Sequence, residues 1–326
     1  MRHRPNRRQL LSTTLALAAV AAGPAWAQPK SVRLVVGSPP GGPSDFLARL
    51  MADAQGAATG TSFVVDNRPG ASGTVATEAV ARAPADGATL LIGGPGSTVV
   101  APYIFPKLGY DPAKDLLPVA VLGAGAFVLA VHPSVPAQTL KDFVALLKTK
   151  PDTLSYGSGG NGSSGQLCTE TFAQAVGGRA VHVPYKGDGQ ALNDLLGGQI
   201  QFMFTAPNVA IPHGKSGRLR LLAVTSRERI TALPDVPSVH EAALKDFEYL
   251  GWIMTFVPAA TPRATIAALQ ADWARARSQP SVRNKLDELG MLPPEHLTDS
   301  KALEAFLASE RVRTANVVKA AGIKLN

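Results

Sequence analysis

Two stretches of the chain have the composition of an anion cradle. Residues 37–45 read Gly-Ser-Pro-Pro-Gly-Gly-Pro-Ser-Asp, and residues 157–165 read Gly-Ser-Gly-Gly-Asn-Gly-Ser-Ser-Gly. Each follows a short apolar run and opens into a segment with helical spacing. Glycine lets a ligand approach the main chain closely. A helix N-terminus offers unpaired N–H groups and about half a positive charge. Two such loops facing one another would clamp an anion; the same glycines would also serve as plain tight turns.

Other chemistries have less support. Gly157, Gly159 and Gly162 fit G-x-G-x-x-G, as do Gly160, Gly162 and Gly165. A dinucleotide site would also need an acid at the end of the next strand, and Val181-His182-Val183 runs instead into Pro184-Tyr185-Lys186-Gly187. No G-x-S-x-G elbow occurs. His132, His182, His213, His240 and His296 are too scattered for the H-x-x-x-H spacing of a metal site. The single cysteine, Cys168, lies in a helical segment and reads as a small buried hydrophobe. Trp252 is a candidate cleft aromatic. No catalytic residue, metal or cofactor is therefore expected, and the chain is not read as an enzyme.

The elements that must hold these loops alternate strand and helix. Strands are expected at 32–36, 63–65, 89–92, 127–131, 154–156, 181–183, 200–204 and 219–224. Helices are expected at 44–58, 73–82, 140–148, 164–175, 262–278, 281–289 and 299–320. In the first helix Phe46, Leu47, Leu50, Met51 and Ala54 share one face, with Ser44 or Asp45 as N-cap. Such alternation argues for α/β lobes built on parallel sheets. In an open sheet of that kind, ligands sit beyond the carboxyl ends of the strands, which is where both glycine loops fall.

The chain has 326 residues, a length that suits two domains of ordinary size. Arg2, Arg4, Arg7 and Arg8 precede an uncharged stretch from Leu10 to Ala22, and Ala25-Trp26-Ala27 offers a small-x-small cleavage site. Residues 1–27 therefore read as a signal peptide, and Arg7-Arg8 also suits twin-arginine export. Removing them takes away four arginines and no acid, so the formal charge of +8 falls to +4. The remaining basic residues are scattered, with no stripe for nucleic acid. No later segment has the length and apolarity of a membrane span. A periplasmic protein is expected.

Several motifs in order carry a resemblance over the whole mature chain. They are Pro39-Pro40-Gly41-Gly42 with Ser44-Asp45 and Ala48-Arg49; Asp66-Asn67-Arg68-Pro69-Gly70-Ala71-Ser72-Gly73; and Tyr156 to Ser163. Further on come His182-Val183-Pro184-Tyr185-Lys186-Gly187, Leu195-Leu196-Gly197-Gly198-Gln199, Leu222-Ala223-Val224-Thr225-Ser226 and Leu233-Pro234-Asp235-Val236-Pro237-Ser238. The sequence resembles the Bug family of periplasmic solute receptors, which serve tripartite tricarboxylate transporters.

The resemblance implies a two-lobed type II periplasmic binding protein fold with a double hinge crossing. Lobe 1 would comprise 28–130 and 252–326, with the C-terminal helices returning to it, and lobe 2 would comprise 131–251. It further implies a monomer that holds a small carboxylate, mostly through main-chain amides and waters, and delivers it to two membrane subunits or to a sensor protein. By position, lobe 1 would contribute Ser38, Pro40, Gly41, Gly42, Ser44, Asp45, Ser97 and Thr98. Lobe 2 would contribute Ser158, Gly159, Asn161, Gly162, Ser163, Thr205 and Ala206. Three positions depart from the family pattern: Ser38 replaces an aromatic, Pro43 replaces a third glycine, and Thr205 replaces an acid. The last departure tilts the expectation toward a ligand without an amine. Valine at Gly42 or Gly162 is expected to block binding and spare the fold.

Overall fold

The computed structural model describes residues 31–291 and 296–323; the expected signal peptide lies outside them. From the N-terminus the chain forms β1 (Ser31–Val36), α1 (Pro43–Thr59), β2 (Ser62–Asn67), α2 (Thr74–Ala81) and β3 (Thr89–Gly93). A π-turn (Gly96–Val100) then runs into α3 (Ala101–Ile104). Next come β4 (Leu116–Ala126), β5 (Val128–Val131), α4 (Leu140–Thr149), β6 (Ser155–Ser158), α5 (Ser164–Val176), β7 (Val181–Pro184) and α6 (Asp188–Leu196). They are followed by β8 (Phe202–Thr205), α7 (Pro207–Lys215), β9 (Arg220–Val224), α8 (Val239–Ala242) and β10 (Leu250–Pro258). The last three helices are α9 (Arg263–Ser278), α10 (Pro280–Glu288) and α11 (Ser300–Ala321).

These strands make two five-stranded sheets, ordered β2-β1-β3-β10-β4 and β7-β6-β8-β5-β9. Both are mixed, which corrects the expected parallel sheets. β1 runs parallel to β2 and β3, but β10 runs antiparallel to β3 and β4. In the second sheet β6 runs parallel to β7 and β8, while β5 runs antiparallel to β8 and β9. The antiparallel members are the strands next to the crossings. β4 passes into β5 with one intervening residue, Phe127, leaving no room for a crossover helix between the sheets.

The chain thus changes sheets at 127, three residues before the expected boundary, because all of β5 belongs to the second sheet. It returns between Tyr249, whose N–H bonds Thr225 O at 2.9 Å, and Leu250, which pairs with Ala126. Each sheet is covered by helices that bury apolar faces. In α1, Leu47, Ala48, Met51 and Ala52 are buried against Val32, Leu34 and Trp273 of the neighbouring elements. Pro43 suits the first position of α1, where no N–H is required, and Gly60 ends it at φ 70°.

The C-terminal helices do not all return to the first lobe as expected. α9 packs on α1 and β4, but α11 straddles both lobes. Its Leu303 and Leu307 join the core around Trp252 and Phe256, whereas Val317 and Val318 join the core around Phe172 and Phe202. Gln174 Nε2 donates to Val317 O at 3.4 Å. Cys168 is fully buried, and burial raises its thiol pKa well above the usual value.

Candidate functional site

The carboxyl ends of β1, β3, β6 and β8 open onto one cleft of about 1000 Å³ between the lobes. Four helical N-termini meet there. At α1 the N-cap is Gly42, with no capping side chain, and the first main-chain donor into the helix is Phe46 N to Gly42 O at 2.9 Å. The Ser44 N–H is left without an acceptor among the described residues, and Ser44 lines the cleft. At α5 the Ser163 hydroxyl accepts from Gln166 N, which leaves the Ser164 and Gly165 amides on the cleft wall. At α7 the N-cap is Ala206, again without a capping side chain, and Asn208 lines the cleft. The π-turn after β3 presents Gly94, Pro95, Gly96 and Ser97. Uncapped amides and aligned helix dipoles on both walls favour negative charge between them.

Each glycine loop is braced from behind. The Asp45 carboxylate accepts from Gly41 N at 2.9 Å, from Arg49 Nη2 at 2.9 Å and from Asn67 Nδ2 at 2.9 Å. The Arg49 hydrogen bond, outweighing burial, holds its pKa down to about 2. Asn67 Nδ2 also donates to Ser38 O at 3.1 Å, so the latch fixes both ends of the 38–41 turn.

The second loop rests on a relay of neutral groups. Gly162 N donates to Gln166 Oε1 at 2.7 Å; Gln166 Nε2 meets His182 Nδ1 at 3.0 Å; and His182 Nε2 meets Ser158 Oγ at 2.7 Å. Ser158 Oγ lies 3.1 Å from Gly160 O. A consistent set of donors puts the histidine proton on Nε2, donated to Ser158 Oγ, and has the Ser158 hydroxyl donate to Gly160 O. Burial of the imidazole lowers its pKa to about 4, and Tyr156 stacks on it at 4.9 Å. A protonated ring would set Nδ1–H against the Gln166 amide hydrogens. Because the unfolded imidazole binds its proton near 6.5 and the folded one near 4, the unfolded state holds more protons in that window. Stability contributed by His182 is therefore complete above about pH 6.5 and falls as pH drops toward about 4. Melting temperature measured across this window should fall more steeply for the wild type than for His182→Gln; parallel slopes would refute the assignment.

The sequence profile described as "Tripartite tricarboxylate transporter family receptor" matches residues 47–323. This chain belongs to that family. BugT of Bordetella pertussis is 32% identical to this receptor over 297 residues, which are 91% of this chain and 90% of BugT. Rpa4515 of R. palustris, solved with adipate, is 34% identical with a TM-score of 0.79, covering 92% of this chain and 100% of that one. MatC from Rhodopseudomonas palustris, solved with bound malate, is 32% identical with a TM-score of 0.75, covering 88% of this chain and 98% of that one. The two-lobed α/β architecture is that of periplasmic binding proteins such as BugD. No helix among the described residues is long and apolar enough to cross a membrane.

Of the residues expected in the receptor's site, Ser38, Gly41, Gly42, Ser44 and Ser97 line the cleft from one side. Gly159, Asn161, Gly162, Ser163, Thr205 and Ala206 line it from the other. Four expected residues do not line it. Pro40 is exposed off the cleft wall, and the Asp45 side chain is turned into its latch. Thr98 is buried with its hydroxyl bonded to Gly94 O at 2.8 Å, and Ser158 is buried in the histidine relay. All but Pro40 act from behind the wall. Trp252 lies on the cleft floor, but its indole is buried and Nε1–H reaches Glu310 Oε2 at 3.0 Å.

Sequence reasoning missed Pro69–Gly73, Phe127, Lys186, Asp188, Asn208 and the Leu289–Met291 segment, all on the wall. The 69–73 turn had a signal: its glycines, Gly70 and Gly73, stand in the Asp66-Asn67-Arg68-Pro69-Gly70-Ala71-Ser72-Gly73 motif. Ala71 and Ser72 adopt left-handed backbone at φ 46° and 57°, a strained pair for non-glycine residues. Gly37 must be glycine here, because a Cβ would lie 2.8 Å from Gly73 Cα.

Proposed function

We propose that this chain is an exported receptor that captures a small carboxylate between its lobes and hands it, chemically unchanged, to the membrane subunits of a tripartite tricarboxylate transporter. The observation that supports this reading is the convergence of helix N-termini on one interlobe cleft, three of them without a capping side chain. Relatives solved with adipate and malate point to the same ligand chemistry. Residues 1–27 would be removed on export, leaving a monomer that closes on its ligand by rotation about the crossings at 127 and 249–250. The wall carries main-chain amides and small side chains, which suits recognition by shape and hydrogen bonding.

The test is thermal unfolding of the ligand-stripped protein against carboxylic acids, with sugars and simple amines as controls. A ligand at 100 times its dissociation constant stabilises by roughly 2.7 kcal/mol. We expect one class of acids to raise the unfolding temperature by a few degrees. Stabilisation by a sugar or amine, with none by any acid, would refute the carboxylate reading.

A further inference from the structure

Among the described residues, the cleft wall carries two ionisable side chains, Lys186 and Asp188, both from the start of α6 or the turn before it. Asp188 is the only acid. It is exposed to the cleft, and its carboxylate lies beside Gly159 of the second glycine loop. A Cβ on Gly159 would lie 2.8 Å from Asp188 Oδ1, so the carboxylate is seated against that loop. No cation among the described residues forms an ion pair with it, Lys186 included. A built-in anion therefore stands beside the second glycine loop, where a bound anion would otherwise approach. The amides of Ser44, Ser164 and Asn208 remain for the ligand's own carboxylate.

We propose that Asp188 sets the ligand class: a carboxylate whose far end carries a hydrogen-bond donor, a hydroxyl or an ammonium, in place of a second ionised carboxylate. This rests on the carboxylate reading above and deepens it. An ionised carboxylate has about four acceptor sites and no donor. The exposed Asp188 side chain offers these sites on the cleft wall. A ligand hydroxyl or ammonium satisfies them, whereas a second carboxylate brings like charge and no proton. The cleft walls also desolvate Asp188 and raise its pKa, against the lowering effect of Gly159 N–H. The presence of Asp188 also corrects the weight given to Thr205: an acid missing at the β8 end does not leave the cleft without a counter-charge for an amine.

The experiment is titration calorimetry of the ligand-stripped protein and Asp188→Asn with hexanoate, 6-hydroxyhexanoate, 6-aminohexanoate and adipate, repeated with the four-carbon series. Asparagine keeps an acceptor for Gly159 N–H, so the unfolding temperature should hold. The wild type should bind the hydroxy or amino acid about tenfold more tightly than the diacid of equal length, and Asp188→Asn should bring that ratio to within about threefold, chiefly by improving the diacid. An unchanged ratio, an equal change for every acid, or a diacid weakened by the substitution would overturn the assignment alone. Binding of none of the acids by either protein would overturn the carboxylate reading and the role of Asp188 with it.

Discussion

Gly42→Val should weaken capture roughly 100-fold while leaving the protein folded. Gly42 is the N-cap of α1 and adopts φ −76°, a value any residue tolerates. A Cβ there would have nothing nearer than Pro39 O at 3.5 Å and Ser38 Oγ at 3.6 Å, both ordinary contacts. The isopropyl group would nevertheless stand beside the uncapped amides of the first turn of α1, where the ligand's carboxylate is expected. Hydrogen bonds to a charged group are worth about 1.5–3 kcal/mol each. Losing one or two of them costs about 3 kcal/mol, or roughly 100-fold in affinity. Calorimetry with the tightest-binding acid checks this, and a dissociation constant within about threefold of wild type would rule out α1 as the anion's seat. Valine at Gly162, expected from sequence to behave alike, will not. That residue sits at φ 75°, and its Cβ would lie 2.7 Å from Ile104 Cδ1 in the buried core, so the substitution strains the loop and the packing behind it together.

The contrast between those two glycines shows where sequence reasoning was adequate and where it was not. Both loops, their strands and their helices are legible, because glycine clusters beside helical spacing report local geometry. Helices α6 and α7 were missed along with two strands, β4 and β10, whose residues contradict local preference. β4 contains Pro118, Gly123 and Gly125, a composition that argues against a strand. It survives because β4 is an edge strand, so one side of its backbone needs no partner, and because Gly125 must be small: a Cβ there would lie 2.6 Å from Gly290 O. β10 carries Gly251 and two register shifts against β4. Side-chain direction was equally out of reach. Asp45 and Ser158 have the chemistry of ligand contacts, and only the positions of Arg49, Asn67 and His182 reveal that they face backward to hold the loops. Asp188 escaped notice for the opposite reason, since one acid after a glycine carries no pattern until the fold places it against Gly159.

The largest effect on stability should come from Arg313→Met, at the crossing where the chain returns to the first lobe. Glu310 is buried on α11 and accepts from Trp252 Nε1 at 3.0 Å and from Arg313 Nη2 at 2.7 Å. The Arg313 guanidinium carbon lies 4.5 Å from the centre of the Tyr249 ring. Trp252 belongs to the first sheet and Tyr249 closes onto the second through Thr225, so this cluster ties α11 to both sides of the crossing. Methionine matches the arginine stem but leaves the Glu310 charge buried without its cation. Breaking a buried pair from one side costs about 3–5 kcal/mol; Arg313 is partly exposed, so the low end applies. A loss of about 3 kcal/mol lowers the melting temperature of a chain this long by roughly 5 °C. If the stranded charge is the cause, Glu310→Gln in the same protein should recover most of that loss, because glutamine still accepts the Trp252 proton and carries no charge. A double variant no more stable than Arg313→Met would instead place the cost in the lost packing over Tyr249. The pair would then matter as a cover for the crossing, and its charges would be incidental to holding the lobes together.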